Sequence, residues 1–290
     1  NNGQDIRTLY QSNNCWTSLK RAAGRIAYKD DVITKRLEKG MANLLHHNTA
    51  SFLHFIELFI DGSKQYLDTK NYKYALMLYY ALFQDRLDKT GFASIYEALE
   101  LIHKEMYSYF RQEISEIISY LLAHLQLKTM PLGEDVLPGL ELYGCYTREE
   151  IFTLAGRQTE ARKMQGSVTG VFNLSEHNAT LLFVTLNKSD KDFSPSTQYN
   201  DYLINEHYFH WQSQNTDSHQ NNGGQRYTKQ ADTQNKIILF VREEKKDGYG
   251  NTCPFHCFGL VEYMSSHDDF PMNITWKLQQ PAMAQYVKAI

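Results

Sequence analysis

Apolar residues recur at three- and four-residue steps from Trp16 to about Leu127, the spacing of helices that bury one stripe. The stretches Ala75–Phe83 and Ile114–Leu127 carry the pattern most clearly, and LLHHNTASFLHFIELFI from Leu44 predicts another helix. Between Leu127 and Tyr146 the periodicity stops, and Pro131, Gly133, Pro138, Gly139 and Gly144 follow closely. These residues end helices, so a boundary is expected there. Thr147 and Glu150 have capping-box spacing and Gly156 can close the turn, which predicts one short helix. Beyond it the period becomes that of strands: SVTGVFNL and TLLFVTL flank Ser175–Asn178 as a hairpin, and KIILFVRE, FGLVEYM and NITWKL follow. QSQNTDSHQNNGGQRYTKQADTQN is polar and contains Gly, which predicts an exposed loop. The expected fold is therefore α+β. A helical, bundle-like segment over 1–130 is followed by a connection over 131–145, then a small barrel or bent sheet over 146–290 with one leading helix.

Composition narrows the function. The 290 residues are 42% hydrophobic and 13% aromatic, with Tyr 20 and Phe 15, which excludes a mostly disordered chain. The net charge of −3 excludes a generally basic nucleic-acid binder, so any such contact must be local. Without a bilayer-length apolar run or a signal segment, the chain reads as cytoplasmic with no membrane partner. Asn1-Asn2-Gly3-Gln4-Asp5 lacks an initiator Met, so a preceding segment is expected.

No metal and no cofactor are expected. Cys253 and Cys257, with His256 between them, could form only half of a zinc site, Cys145 or a histidine having to supply the rest, and buried thiols are the default. His46 and His47 are adjacent, and neighbours on a helix diverge, so core or surface roles are expected for both. A divalent-metal nuclease would need converging carboxylates, for which Asp201, Glu206, Glu243 and Glu244 are the candidates, with Lys245 close by.

Nucleic-acid recognition fits the string FHWQSQN better, since it offers an aromatic plate and amides able to bond a base edge. Trp211 would stack, and Gln212, Gln214 and Asn215 would hydrogen-bond, with His210 in the same string. Lys188, Arg226, Tyr227 and Arg242 could meet phosphates, and Ser194, Ser196, Thr197 and Tyr199 add neutral donors. In an extended segment Gln212 and Gln214 share one face and Trp211 takes the other, which would make Trp211 a core residue. A bulge or loop is needed for all of them to act together.

The strings TLLFVTLNKSDKDFSPSTQYNDYLINEHYFHWQSQN, GQRY, LFVREEKKD and PMNITWKL closely resemble the family called domain of unknown function 3427. The likeness extends upstream through YTREEIF and more weakly to CWTSLKRAAG; the chain departs from the family pattern at Cys253, Cys257 and NTDSHQNNGGQRY. Members of that family end large proteins with a superfamily-two helicase core, often with a phospholipase-D-type nuclease domain in front. The resemblance thus implies an accessory region, its helices docking on a preceding helicase domain and its β module recognising DNA. Modified or foreign DNA, in a restriction or anti-phage setting, suits that company, and base flipping would give Trp211 and Tyr199 a role. A protein-interaction scaffold and a metal-dependent nuclease are the alternatives. The chain contains neither a P-loop string nor an H-x-K motif, so ATPase and phospholipase-D-type chemistry are not expected within it.

Overall fold

A computed structural model describes residues 5–64, 68–133, 135–164, 169–188 and 200–287. The chain divides into two compact units, one comprising Asn1–Thr129 with Glu149–Gln165 and the other Met130–Arg148 with Gly166–Ile290. The fold is α+β, as the change of period predicts.

The first unit is built from α1 (Trp16–Ala22), α2 (Val32–Met41), α3 (Ala50–Ile60), α4 (Tyr72–Phe83), α5 (Leu87–Thr90), α6 (Ile95–Leu101), α7 (Ser108–Ala123) and most of α8 (Arg148–Leu154). Every residue of α4 from Ala75 to Phe83 is buried. A helix that is apolar all round belongs at the centre of its unit. On α2, a Cβ at Gly40 would sit 2.7 Å from the Leu82 Cα, so glycine there lets α2 and α4 cross closely. The start of α1 depends on a distant acid: Glu113 of α7 accepts the Trp16 and Thr17 amides at 2.7 and 2.8 Å. Buried to 1% exposure, its carboxylate occupies the positive end of the α1 dipole and satisfies two otherwise orphaned donors.

Two expectations change in this unit. The helix read from Leu44 starts only at Ala50, because Ala42–Leu44 form a 3-10 turn, 45–46 continue as a turn and Thr49 before α3 is extended. The short helix expected to open the β half, α8, packs instead among the helices.

The second unit holds β1 (Met130–Pro131), β2 (Glu141–Leu142), β3 (Cys145–Tyr146), β4 (Val171–Leu174), β5 (Ala179–Asn187), β6 (Tyr202–Asn205), β7 (Tyr208–Gln212), α9 (Asn222–Thr228), α10 (Gln230–Thr233), β8 (Lys236–Glu244), β9 (Phe255–His267), β10 (Asn273–Leu278) and α11 (Ala284–Val287). The main sheet runs β4-β5-β8-β9-β10-β7-β6, with β3 added on β9. The β5/β8 pair is parallel and the other pairs are antiparallel. The expected β4/β5 hairpin forms, its turn closed by Asn178 at φ +45°. The sheet is open, so the barrel alternative is excluded. It bends strongly nonetheless: Leu182 and Val184 of β5 share one core cluster with Leu203 of β6, although four strands separate them in the sheet.

Residues 131–145, expected as a connection, instead carry β1, β2 and the start of β3, and they bury Leu137 and Leu140. The expected exposed loop over 212–235 instead carries the two short helices α9 and α10, with Ser213, Asp217, Ser218 and Tyr227 buried. Polarity misleads here because the polar groups bond within the segment. Asn221 Oδ1 accepts the Ser218 and Gly224 amides at 3.2 and 3.0 Å, and a Cβ on Gly224 would collide with the Ser218 carbonyl and the Met272 sulfur. Among the described residues no helix is long and apolar enough to cross a membrane.

Replacing Glu113 by Ala strands two backbone donors and is expected to cost roughly 2–4 kcal/mol in urea unfolding followed by far-UV circular dichroism. Gln, which keeps one acceptor oxygen, should lose about half as much.

Candidate nucleic-acid interface

The sheet presents two unlike faces around β7. Phe209 and Trp211 point into the core, whereas Tyr208, His210 and Gln212 are half-buried on the other face. Strand alternation extends this outer face onto β10, where Asn273, Thr275 and Lys277 lie opposite Gln212, His210 and Tyr208. On the far side of β10, His267, Ser265 and Glu262 continue the rows. On the edge strand β6, Tyr202 is 43% exposed and pairs with His210.

Tyr202 and His210 stack with ring centroids 4.7 Å apart and planes 14° apart. His210 Nδ1 lies 2.8 Å from the Asn200 carbonyl. A carbonyl oxygen only accepts, so Nδ1 carries the proton, and Nε2 has no hydrogen-bond partner among the described residues. Gln212 Oε1 accepts the Asn200 amide at 2.6 Å, and Gln212 Nε2 donates to Asn273 Oδ1 at 2.9 Å. Asn273 Nδ2 in turn donates to Asp268 Oδ2 at 3.0 Å. Each amide is oriented by its neighbours, while an amide group has more donors and acceptors than these bonds use.

A buried carboxylate holds this face. Asp201 Oδ2 meets Lys188 Nζ at 2.5 Å, and Asp201 Oδ1 accepts the Gln212 amide at 2.9 Å. The side chains of both Lys188 and Asp201 are less than a tenth exposed. Burial pushes the Asp201 carboxyl above the ordinary carboxylate range, against the pull of Lys188.

The sequence-predicted patch is therefore divided. His210 and Gln212 share the outer face with Tyr202. Trp211, expected as the stacking plate, is 4% exposed and packs edge-on against Tyr227 at 5.1 Å, with Trp276 beyond. Strand alternation sends it to the core, so the exposed stacking role passes to Tyr202. Tyr227 is a core residue of α9, and Arg226 lies on the same helix, which covers the opposite side of β7. Arg242 is buried over Phe255, and it donates to Thr185 Oγ1 at 2.9 Å and the Cys253 carbonyl at 2.9 Å, so its phosphate role is replaced by a structural one. Lys188 is likewise committed to Asp201. Gln214 and Asn215 follow β7 in the chain, half-buried and exposed respectively. Ser194, Ser196, Thr197 and Tyr199 lie outside the described residues.

The nuclease carboxylates do not converge. Glu243 and Glu244 end β8, Glu206 follows β6 on the far edge of the sheet, and Asp201 is paired with Lys188. Cys257 is buried and its thiol is pushed up to about 12 by desolvation, while His256 Nδ1 lies 2.7 Å from the Tyr286 hydroxyl. Among the described residues, three metal-ligating side chains converge at one place, His46, His47 and Glu150 of the helical unit.

Sequence reasoning missed Tyr202, Asn273 and Thr275. The signal was present in the alternation of NITWKL, where Ile274, Trp276 and Leu278 are buried and the intervening residues face out.

A family model described as Domain of unknown function (DUF3427) matches residues 140–289, just over half of the chain. No curated protein matches it.

Asp201→Ala removes the carboxylate that the buried Lys188 ammonium meets, with an expected loss of about 3–5 kcal/mol. Lys188→Met combined with Asp201→Asn, whose Oδ1 still accepts the Gln212 amide, should recover most of it. Tryptophan fluorescence during denaturation reads both, since Trp211 and Trp276 lie in that core. A single variant within roughly 0.5 kcal/mol of the parent would remove the pair from any supporting role.

Proposed function

We propose, for a chain that belongs to this family of unknown function, that its sheet unit is a non-catalytic DNA-recognition module whose contact surface is the open outer face of β6, β7 and β10. The observation that carries this reading is the exposed Tyr202 ring stacked flat on His210, beside the oriented Gln212 and Asn273 amides. Open sheets with exposed rings bind strands by stacking bases on them, and amides at fixed angles read base edges. A base on Tyr202 would present its edge to Gln212, Asn273 and the His210 Nε2 acceptor, and Lys277 would meet a phosphate. The accessory place beside a helicase, in a restriction or anti-phage setting with modified or foreign DNA as target, rests on the resemblance of the strings around β5 to β7. Trp211 offers no plate for a flipped base, because its ring is packed in the core.

Fluorescence anisotropy with single-stranded, duplex and base-modified duplex DNA tests the reading. Tyr202→Ala, with an unchanged circular dichroism spectrum, should weaken binding roughly 5- to 150-fold, the worth of one stacked base. With Lys277 as the lysine on the face, the logarithmic salt slope should be shallow, about −1 to −2. Absence of binding to every DNA at low salt would replace this reading by a protein-docking scaffold, and undiminished binding by the Tyr202 variant would move the site elsewhere.

A further inference from the structure

We propose that His46, His47 and Glu150 bind one divalent transition-metal ion in the helical unit, a site independent of the DNA reading. His46 and His47 follow the 3-10 turn Ala42–Leu44 and precede α3, so they are free of the helical geometry that separates neighbouring side chains. Their rings lie 4.1 Å apart between centroids. Both face the carboxylate of Glu150, in the first turn of α8. His46 Nε2 stands 2.9 Å from one carboxylate oxygen, and His47 Nε2 stands 3.4 Å from the other. One ligand atom from each residue lies within 4.8 Å of the other two. Ligands at zinc bond lengths are separated by about 3.3–3.5 Å across a tetrahedron, so modest ring shifts would bring all three onto one ion.

A second observation points to a ligand. His47 is 2% exposed, yet neither of its ring nitrogens has a hydrogen-bond partner among the described residues. Phe52 packs edge-on against the ring at 4.6 Å and offers it no polar atom. An ion on Nε2 would use a lone pair that the fold otherwise buries idle. Two imidazoles and one carboxylate suit zinc and its neighbours in the first transition row rather than calcium or magnesium, which prefer all-oxygen shells.

The test uses the full chain, stripped with a chelator and titrated with Zn2+ and Co2+. One equivalent should bind and raise the melting temperature. The Co2+ form should show d–d absorption without the near-ultraviolet charge-transfer band of a thiolate ligand. His46→Gln and Glu150→Gln, checked for folding, should each weaken Zn2+ binding by on the order of 100-fold or more. Substoichiometric uptake, a thiolate band placing the metal on the cysteines, or parent-like affinity in both folded variants would each overturn the proposal. The cobalt spectrum is read on the unaltered protein, so it decides the matter even if the variants do not fold.

Discussion

The outer face of the sheet depends on one buried carboxylate. Asp201 stands where β6 begins, and its two oxygens bind the end of β5 through Lys188 and the end of β7 through the Gln212 amide. In sheet order β5 and β6 are separated by β8, β9, β10 and β7, so a direct ion pair between their ends requires the sheet to curl. An ammonium and a carboxylate taken out of water together are tolerated only when each is the other's partner. The pair therefore does more than add stability: it rewards the bent sheet specifically, because a flatter one would draw the ammonium and the carboxylate apart. Tyr202, next to Asp201, and Gln212, bonded to it, take their positions from that closure.

Alternation then decides what each residue of β7 can do. With Phe209 and Trp211 buried and His210 and Gln212 outward, the string FHWQSQN cannot present its indole and its amides to one ligand. The aromatic component of the outer face comes from the neighbouring strand instead, where Tyr202 pairs with His210. The indole contributes indirectly. Trp211, Tyr227 and Trp276 form the layer on which β7 and β10 rest, so the inner face sets the flatness and spacing of the outer one.

The change from helical to strand period was legible because it reflects which face each element buries, and β4, β5, β8, β9 and β10 all fall where alternation or a β-branched run placed them. What was not legible depended on partners distant in sequence. Lys188 was read as a phosphate contact and Asp201 as a candidate metal-binding carboxylate of the alternative nuclease, and nothing local reveals that the two form an ion pair. The segment after β7 looked like a loop because its amides and hydroxyls are polar, although Asn221 uses them to cap α9. His46 and His47 looked divergent only while a helix was drawn through them. A break of a few residues between α2 and α3 reversed that geometry.

The weak charge of the outer face bears on what kind of recognition it could perform. Affinity drawn from many phosphate contacts is largely indifferent to sequence, and it grows with every lysine added. A face with Lys277 set against Glu262 on the adjoining strand gains little from that source. Any binding there must come from ring stacking, which every base can supply, and from amides whose angles are already set, which depend on the identity of the base. Such a surface discriminates better than it captures. That division of labour is efficient when another part of the same protein holds the strand, and it makes a net charge of −3 compatible with a role at DNA.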